Sequence, residues 1–358
     1  ISHEDLNALY EDADFAVTCS NVFDEDGHLP HHITSSYIKE IEGVRILFVA
    51  ATAPFTPFYR ALDWVVTDPM AAIKDEVEKQ AGNYDVLMIM SHCGIFFDRK
   101  LCEEIPEIDV IFGSHTHHYF EEGEMKNGVL MAAAGKYGHF LGEVNLTIEN
   151  KKVVHKTAIL HPEDTLPEVE TNFKEEGKAL MSTPLVDHPV NLKRKTDMIT
   201  KTAYLLAESV CEFTHADCAI INAGLVVKGI EGPNVTEYDV HQMLPHPINL
   251  VRIKITGRDL KQVILTAEEQ AYMHEHAQGL GFRGDIFGGY ILYQMGYIES
   301  ESRFFVQGEE IVDDHIYTLG TVDMYTFGRY FPLFKNLPTE YLMPEFLRDI
   351  FKQKLLEL

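Results

Sequence analysis

Three histidines follow short apolar runs at spacings that let their imidazoles act together. Ser91-His92-Cys93-Gly94 closes the apolar run 84–90, and Gly113-Ser114-His115-Thr116-His117 closes the run 108–112. Neutral imidazole has an unprotonated ring nitrogen and suits zinc, manganese or iron. Glycines at 94 and 113 let the backbone turn tightly and bring side chains close. A lone histidine after a strand is usually structural. A His-x-His behind a glycine turn, with another histidine at the neighbouring strand end, is a metal-ligand pattern. His92, His115 and His117 are therefore the candidate ligands. His118 and His139 gain no such support and read as surface residues or neighbours of the ligands. Cys93 reads as a small core thiol.

These motifs need a sheet edge to stand on. Runs 44–50, 84–90, 108–112 and 128–134 read as buried strands, with helices over 71–80 and near 100–105 between them. A hairpin follows, 141–148 with 153–160, turning on Glu149-Asn150-Lys151-Lys152. Strands separated by helices, with antiparallel additions, indicate a layered α/β domain over 1–160. In open α/β sheets ligands bind outside the carboxyl ends of the strands, where both histidine motifs fall. Prolines, acids and weak periodicity mark 161–192 as a linker, with one solvated helix across 168–181. A second α/β domain occupies 193–358. Its expected elements are a helix over 196–215 capped by Thr196 or Asp197, a strand 218–221, a helix 236–243 and a strand 250–255. A helix 258–275, strands at 290–298, 304–306 and 316–322, and a terminal helix from Pro344 complete it.

The chain has 358 residues, 46% of them hydrophobic and 24% charged, which suits a globular protein of two domains. A formal net charge of -26 disfavours nucleic-acid binding but not a small phosphorylated substrate, because bound cations invert the local field. No stretch reaches the roughly 20 apolar residues of a membrane span. The five cysteines are odd in number and form no CxxC pair, so free thiols in a cytoplasmic protein are expected. No signal peptide is visible in a chain that opens on Ile1.

Ser91-His92-Cys93-Gly94 followed by Asp109-Val110-Ile111-Phe112-Gly113-Ser114-His115-Thr116-His117 resembles the later half of the metal motifs of the calcineurin-like metallophosphoesterases. Further on, Ile221-Asn222-Ala223-Gly224, Leu244-Pro245 and Ile253-Lys254-Ile255-Thr256-Gly257 resemble, in the same order, the C-terminal domain of 5'-nucleotidases. The resemblance spans nearly the whole chain and implies a metallophosphoesterase sandwich, here truncated, followed by a separate α/β nucleotidase domain. It also implies that His92 and His115 hold one divalent metal (zinc, manganese, magnesium or iron) and that His117 holds or approaches a second. Two such ions roughly 3.5–4 Å apart clamp a phosphoryl group and activate a water.

The family's earlier motifs, an Asp-x-His, a Gly-Asp and a Gly-Asn-His-Glu, are not in this sequence. His3-Glu4 invites the last assignment, but only a short segment separates it from Phe15-Ala16-Val17. The expectation is a chain that begins just after these motifs, with its catalytic residues upstream of Ile1. On that expectation the chain alone holds fewer metals and is inactive or nearly so.

In the resembled family the second domain stacks the nucleoside base between two aromatics. Asn222 and Asn249 match its asparagines, and Phe287, Tyr290, Tyr325 and Phe327 are the candidate stackers. The arginine expected after the Asn-Gly-Gly turn is replaced in Leu225-Val226-Val227, and Arg283, Arg303 or Arg329 is left to supply a cation. The expected ribose-binding acid is absent from Gly328-Arg329-Tyr330. The implied function is metal-dependent hydrolysis of a nucleotide phosphoester. The alternatives are a 2',3'-cyclic-nucleotide phosphodiesterase or nucleotide-sugar hydrolase on the same scaffold, or a non-catalytic nucleotide- or metal-binding module.

Overall fold

The computed structural model describes residues 1–166, 171–186, 188–197, 199–277, 279 and 281–357. The chain divides into two compact units, Ile1–Glu170 and Thr171–Leu358.

In the first unit, β1 (Ser36–Ile41), β2 (Val44–Thr52), β3 (Val86–His92), β4 (Val110–Gly113), β5 (Glu124–Lys126) and β6 (Val129–Ala132) form one sheet of spatial order β1-β2-β3-β4-β6-β5. The four inner strands are parallel, and β1 and β5 are antiparallel edges. Helices α1 (Pro69–Lys79) and α2 (Ile95–Glu104) supply the crossovers.

Strand periodicity of two sorts the side chains into two cores. Leu47, Val49, Leu87, Ile89 and Ile111 pack with Ile73, Val77, Leu101 and Cys102 of the helices. Ile46, Val86, Met88 and Val110 face the other way, against Val144, Leu146, Ile148 and Val153. The latter four belong to the hairpin β7 (Phe140–Glu149) and β8 (Lys152–Pro162). The result is a helix, sheet and hairpin stack. It agrees with the layered expectation, with β1 and β5 added.

In the second unit a five-stranded sheet carries the core. Its strands are β9 (Cys218–Asn222), β10 (Asn249–Thr256), β11 (Tyr290–Tyr293), β12 (Ile316–Val322) and β13 (Thr339–Phe346), in the order β11-β9-β12-β10-β13. Only the β9–β12 pair is parallel. Helices α3 (Lys201–Thr214), α4 (Gly257–Glu268) and α5 (Leu347–Leu356) bury Leu206, Val210, Leu260, Ile264, Ile350 and Phe351 in the same cluster.

Several boundaries differ from the sequence reading. Helix α3 starts at Lys201, because Thr200 accepts the Ala203 N–H and caps it in place of Thr196 or Asp197. Helix α4 stops at Glu268. The segment from Pro344 begins as strand, and its helix starts at Leu347. Within 161–192, β8 runs to Pro162, a helix covers Phe173–Leu180, and Val190–Leu192 pairs with Ile230–Gly232. Residues 168–170 of the expected 168–181 helix lie outside the described residues. Among the described residues no helix is long and apolar enough to cross a membrane.

Candidate active site

The parallel register of the first sheet sets the candidate ligands side by side. Ser91 at the end of β3 lies opposite Gly113 at the end of β4, so His92 and the turn 114–117 leave the same carboxyl edge. The His92 and His115 rings meet edge to face with centroids 5.1 Å apart. His115 and His117 both adopt positive φ, 70° and 55°. Non-glycine residues held there store strain, and such residues cluster at functional sites. Ser114 Oγ lies 3.1 Å from His92 Nδ1 and fixes that ring. Burial and the two neighbouring imidazoles, His115 and His117, hold His92 below the usual histidine range, so it stays neutral with a lone pair.

Among the described residues, no three His, Cys, Asp or Glu side chains are arranged to hold a metal ion. His3, set aside by its spacing, stacks on Trp64 with ring centroids 3.6 Å apart, and its Nε2 lies 3.0 Å from Asp63 O. His139 is exposed beside Glu163. Cys93 points its thiol at Ala51 O, and burial pushes it up to about 12, so it is no ready thiolate.

Polar residues behind the histidines were not singled out from sequence. Asp98 on α2, 1% exposed, accepts the Ser91 hydroxyl at 2.5 Å, and Ser91 Oγ in turn accepts the Cys93 N–H. Thr116 Oγ1 accepts the Ile95 N–H at 3.1 Å and lies 2.9 Å from His118 Nδ1. A signal for Asp98 did exist. It stands three and four residues before the buried Leu101 and Cys102, so it is a carboxylate on the buried stripe of a helix.

The nucleotide-binding candidates gather at one edge of the second sheet. Asn222 ends β9 opposite Tyr290 at the start of β11; Asn249 starts β10, and 323–327 follow β12 as a 3-10 turn. The polar groups of the two asparagines are used within the unit. Asn222 Nδ2 donates to Phe287 O at 2.5 Å, and its Oδ1 accepts from the Tyr325 hydroxyl at 3.0 Å. Asn249 Nδ2 donates to Pro344 O and Glu345 O.

Phe287, Tyr290 and Tyr325 are 0%, 3% and 0% exposed and pack on one another and on Tyr330 and Phe331. Phe327 is half-buried. Arg303 is paired with Glu301 and Glu310, and Arg329 with Glu275, while Arg283 is exposed.

Asp323 in this cluster is 4% exposed, and its Oδ2 accepts the Asn249 N–H at 3.0 Å. Burial raises its carboxyl from 3.8 to about 7, against the pull of backbone N–H bonds from Asn249 and Met324. The folded protein thus holds this proton to higher pH than the unfolded chain. Stability contributed here falls as pH rises through about 4 to 7. Melting curves across that window should show a second-unit midpoint that drops in wild type. The drop should flatten in Asp323→Asn, and parallel slopes would count against the shift.

Comparison with known proteins agrees with this layout. Residues 186–335 match the family model described as the 5'-nucleotidase C-terminal domain. The chain is 36% identical to the uncharacterized metallophosphoesterase YunD of Bacillus subtilis (strain 168), over 99% of this chain and 81% of that protein. It is 26% identical to the trifunctional nucleotide phosphoesterase protein YfkN of the same organism, over 50% of this chain but 14% of that one. Among solved structures, a putative 5'-nucleotidase from Staphylococcus aureus superposes with a TM-score of 0.70 at 15% identity, covering 98% of this chain and 77% of that one. The Haemophilus influenzae NAD nucleotidase superposes with a TM-score of 0.58 at 16% identity, over 99% and 79%. At these identities the two structures speak for the fold.

Proposed function

The chain belongs to the metallophosphoesterase family of 5'-nucleotidase type, and from that premise we propose that the whole protein hydrolyses a nucleotide phosphomonoester at the sheet edge bearing His92, His115 and His117. Membership in the family supports phosphoester hydrolysis in general. The observation that carries the narrower reading is the strained turn after β4, which sets His115 against His92 at the carboxyl end of two parallel strands.

Divalent metals are typical of the family. The chain's own contribution is orientation. The contact between Ser114 Oγ and His92 Nδ1 fixes the His92 ring and leaves Nε2 turned away from it. His115 and His117 both lie beside His92 at that edge before any ligand arrives, which lowers the ordering cost of binding. In the second unit, Asn222 and Asn249 brace the loops that carry Phe287, Tyr325 and Phe327, so they act on a bound nucleoside by holding those loops in place.

A module that binds a nucleotide or metal without turnover is the second reading, favoured by Leu225-Val226-Val227 standing where the resembled family has an arginine. Phosphate release from AMP, a 2',3'-cyclic nucleotide and a nucleotide sugar, each with Mn²⁺ or Zn²⁺ added, tests both. AMP is expected to be the preferred substrate. Preference for either of the others selects the corresponding phosphodiesterase or nucleotide-sugar hydrolase. No metal-dependent release from any of them leaves the binding module as the account.

A further inference from the structure

Of the buried polar atoms without a hydrogen-bond partner among the described residues of the first unit, two converge on one glycine. Asp98 Oδ2 and His118 Nε2 are both buried without a partner. A Cβ built on Gly113 would lie 2.6 Å from Asp98 Oδ2 and 3.5 Å from His118 Nε2, so both atoms face the space that glycine leaves open. Their chemistry is complementary. Thr116 Oγ1 already accepts the Ile95 N–H, so its hydroxyl proton is free to go to His118 Nδ1. That leaves the imidazole proton on Nε2, a donor, facing a carboxylate oxygen, an acceptor. Each atom has almost no accessible surface, so neither borders space for water. A buried donor and acceptor left apart are costly, and each is the other's available partner.

We propose that Asp98 and His118 pair across Gly113 and that Asp98 is the positioning residue of the histidine edge. One carboxylate oxygen holds Ser91, and through it the Cys93 N–H beside His92. The other holds His118, one residue beyond His117. A single buried carboxylate thereby ties the ends of β3 and β4 to α2 and sets the separation of the three imidazoles. Gly113 is required because any side chain would enter the gap. The catalytic consequence rests on the phosphoester-hydrolase reading above.

Two measurements on the full chain separate the pair from that reading. Long-range ¹⁵N–¹H correlation spectra of histidine-labelled wild type should show His118 as the Nε2–H tautomer with a slowly exchanging proton. In Asp98→Asn that resonance should broaden or move. If wild type lacks the protected proton, or if Asp98→Asn leaves it unchanged, the pair is overturned whether or not the protein hydrolyses anything. The wild-type spectrum decides this even if the variant fails to fold. In the hydrolysis assay, Asp98→Asn should lower kcat by roughly 10-fold or more with KM within about two-fold, the scale of losing a residue that orients a ligand. Unchanged kcat overturns the positioning role. A protected His118 proton in a wild type that releases no phosphate supports the pair and instead overturns the hydrolase reading.

Discussion

His115→Ala is expected to lower phosphate release by about 100-fold or more while the protein stays folded, because a metal-site interaction is worth several kcal/mol and each 1.36 kcal/mol is tenfold in rate. Two features separate chemistry from stability at this position. The side chain is exposed, so its removal opens no core cavity, and surface changes usually stay within about 0.5 kcal/mol. Its backbone sits at φ 70°, a region that histidine tolerates better than alanine, so the substitution adds only a small backbone cost there. The measurement is kcat/KM for the best nucleotide substrate beside a thermal melt. Loss of turnover at an unchanged midpoint assigns His115 to the reaction. Unchanged turnover removes the turn after β4 from the active site.

The largest expected loss of stability comes from Gly224→Ala. A Cβ there would lie 2.0 Å from Ile286 O and 2.3 Å from Phe287 O, both backbone atoms that cannot rotate away. The turn 223–225 would have to part from the 286–287 segment. That move breaks the Gly224 N–H bond to Phe287 O and strains the bond from Asn222 to the same oxygen. Overpacking costs about 1–3 kcal/mol and each lost bond about 1 more, so roughly 3 kcal/mol or more should disappear. For a unit of this size the calorimetric midpoint should fall by about 10 °C. Gly177→Ala is the matched control. It lies on an exposed helix with nothing within 4 Å of its Cβ, so it should leave the midpoint level or raise it. Equal behaviour of the two variants would mean that the close approach at Gly224 is not a constraint.

Much of the architecture was readable before any coordinates. After Asp85 and Asp109 the runs to Met90 and Phe112 are largely apolar, because their strands are covered on both faces, by helices on one side and by the hairpin on the other. The hairpin 141–148 with 153–160 was legible from two strand-like runs joined by the polar turn Glu149-Asn150-Lys151-Lys152. Helix ends were less legible, since Thr196, Asp197 and Thr200 are all competent caps and local sequence does not rank them.

The histidine edge itself is a property of sequence. Glycine turns that follow buried strands, with histidine just beyond, single out His92, His115 and His117 as candidates through residue type and short spacing alone, and the sheet register then sets His92 beside His115. What the tertiary structure decided is which polar and aromatic groups meet across long separations. Asn222 reaches Phe287, 65 residues away, and Tyr325, 103 away. Phe287, Tyr290 and Tyr325 therefore close into a packed cluster whose existence no local pattern announces. The same holds for Asp98 beneath Gly113. Periodicity places a carboxylate on a buried helix face, but only the meeting of α2 with the ends of β3 and β4 shows which atoms it must satisfy. Local sequence sets conformation through sterics and hydrogen bonds between near neighbours, whereas burial and partnership are set by which distant surfaces exclude water together.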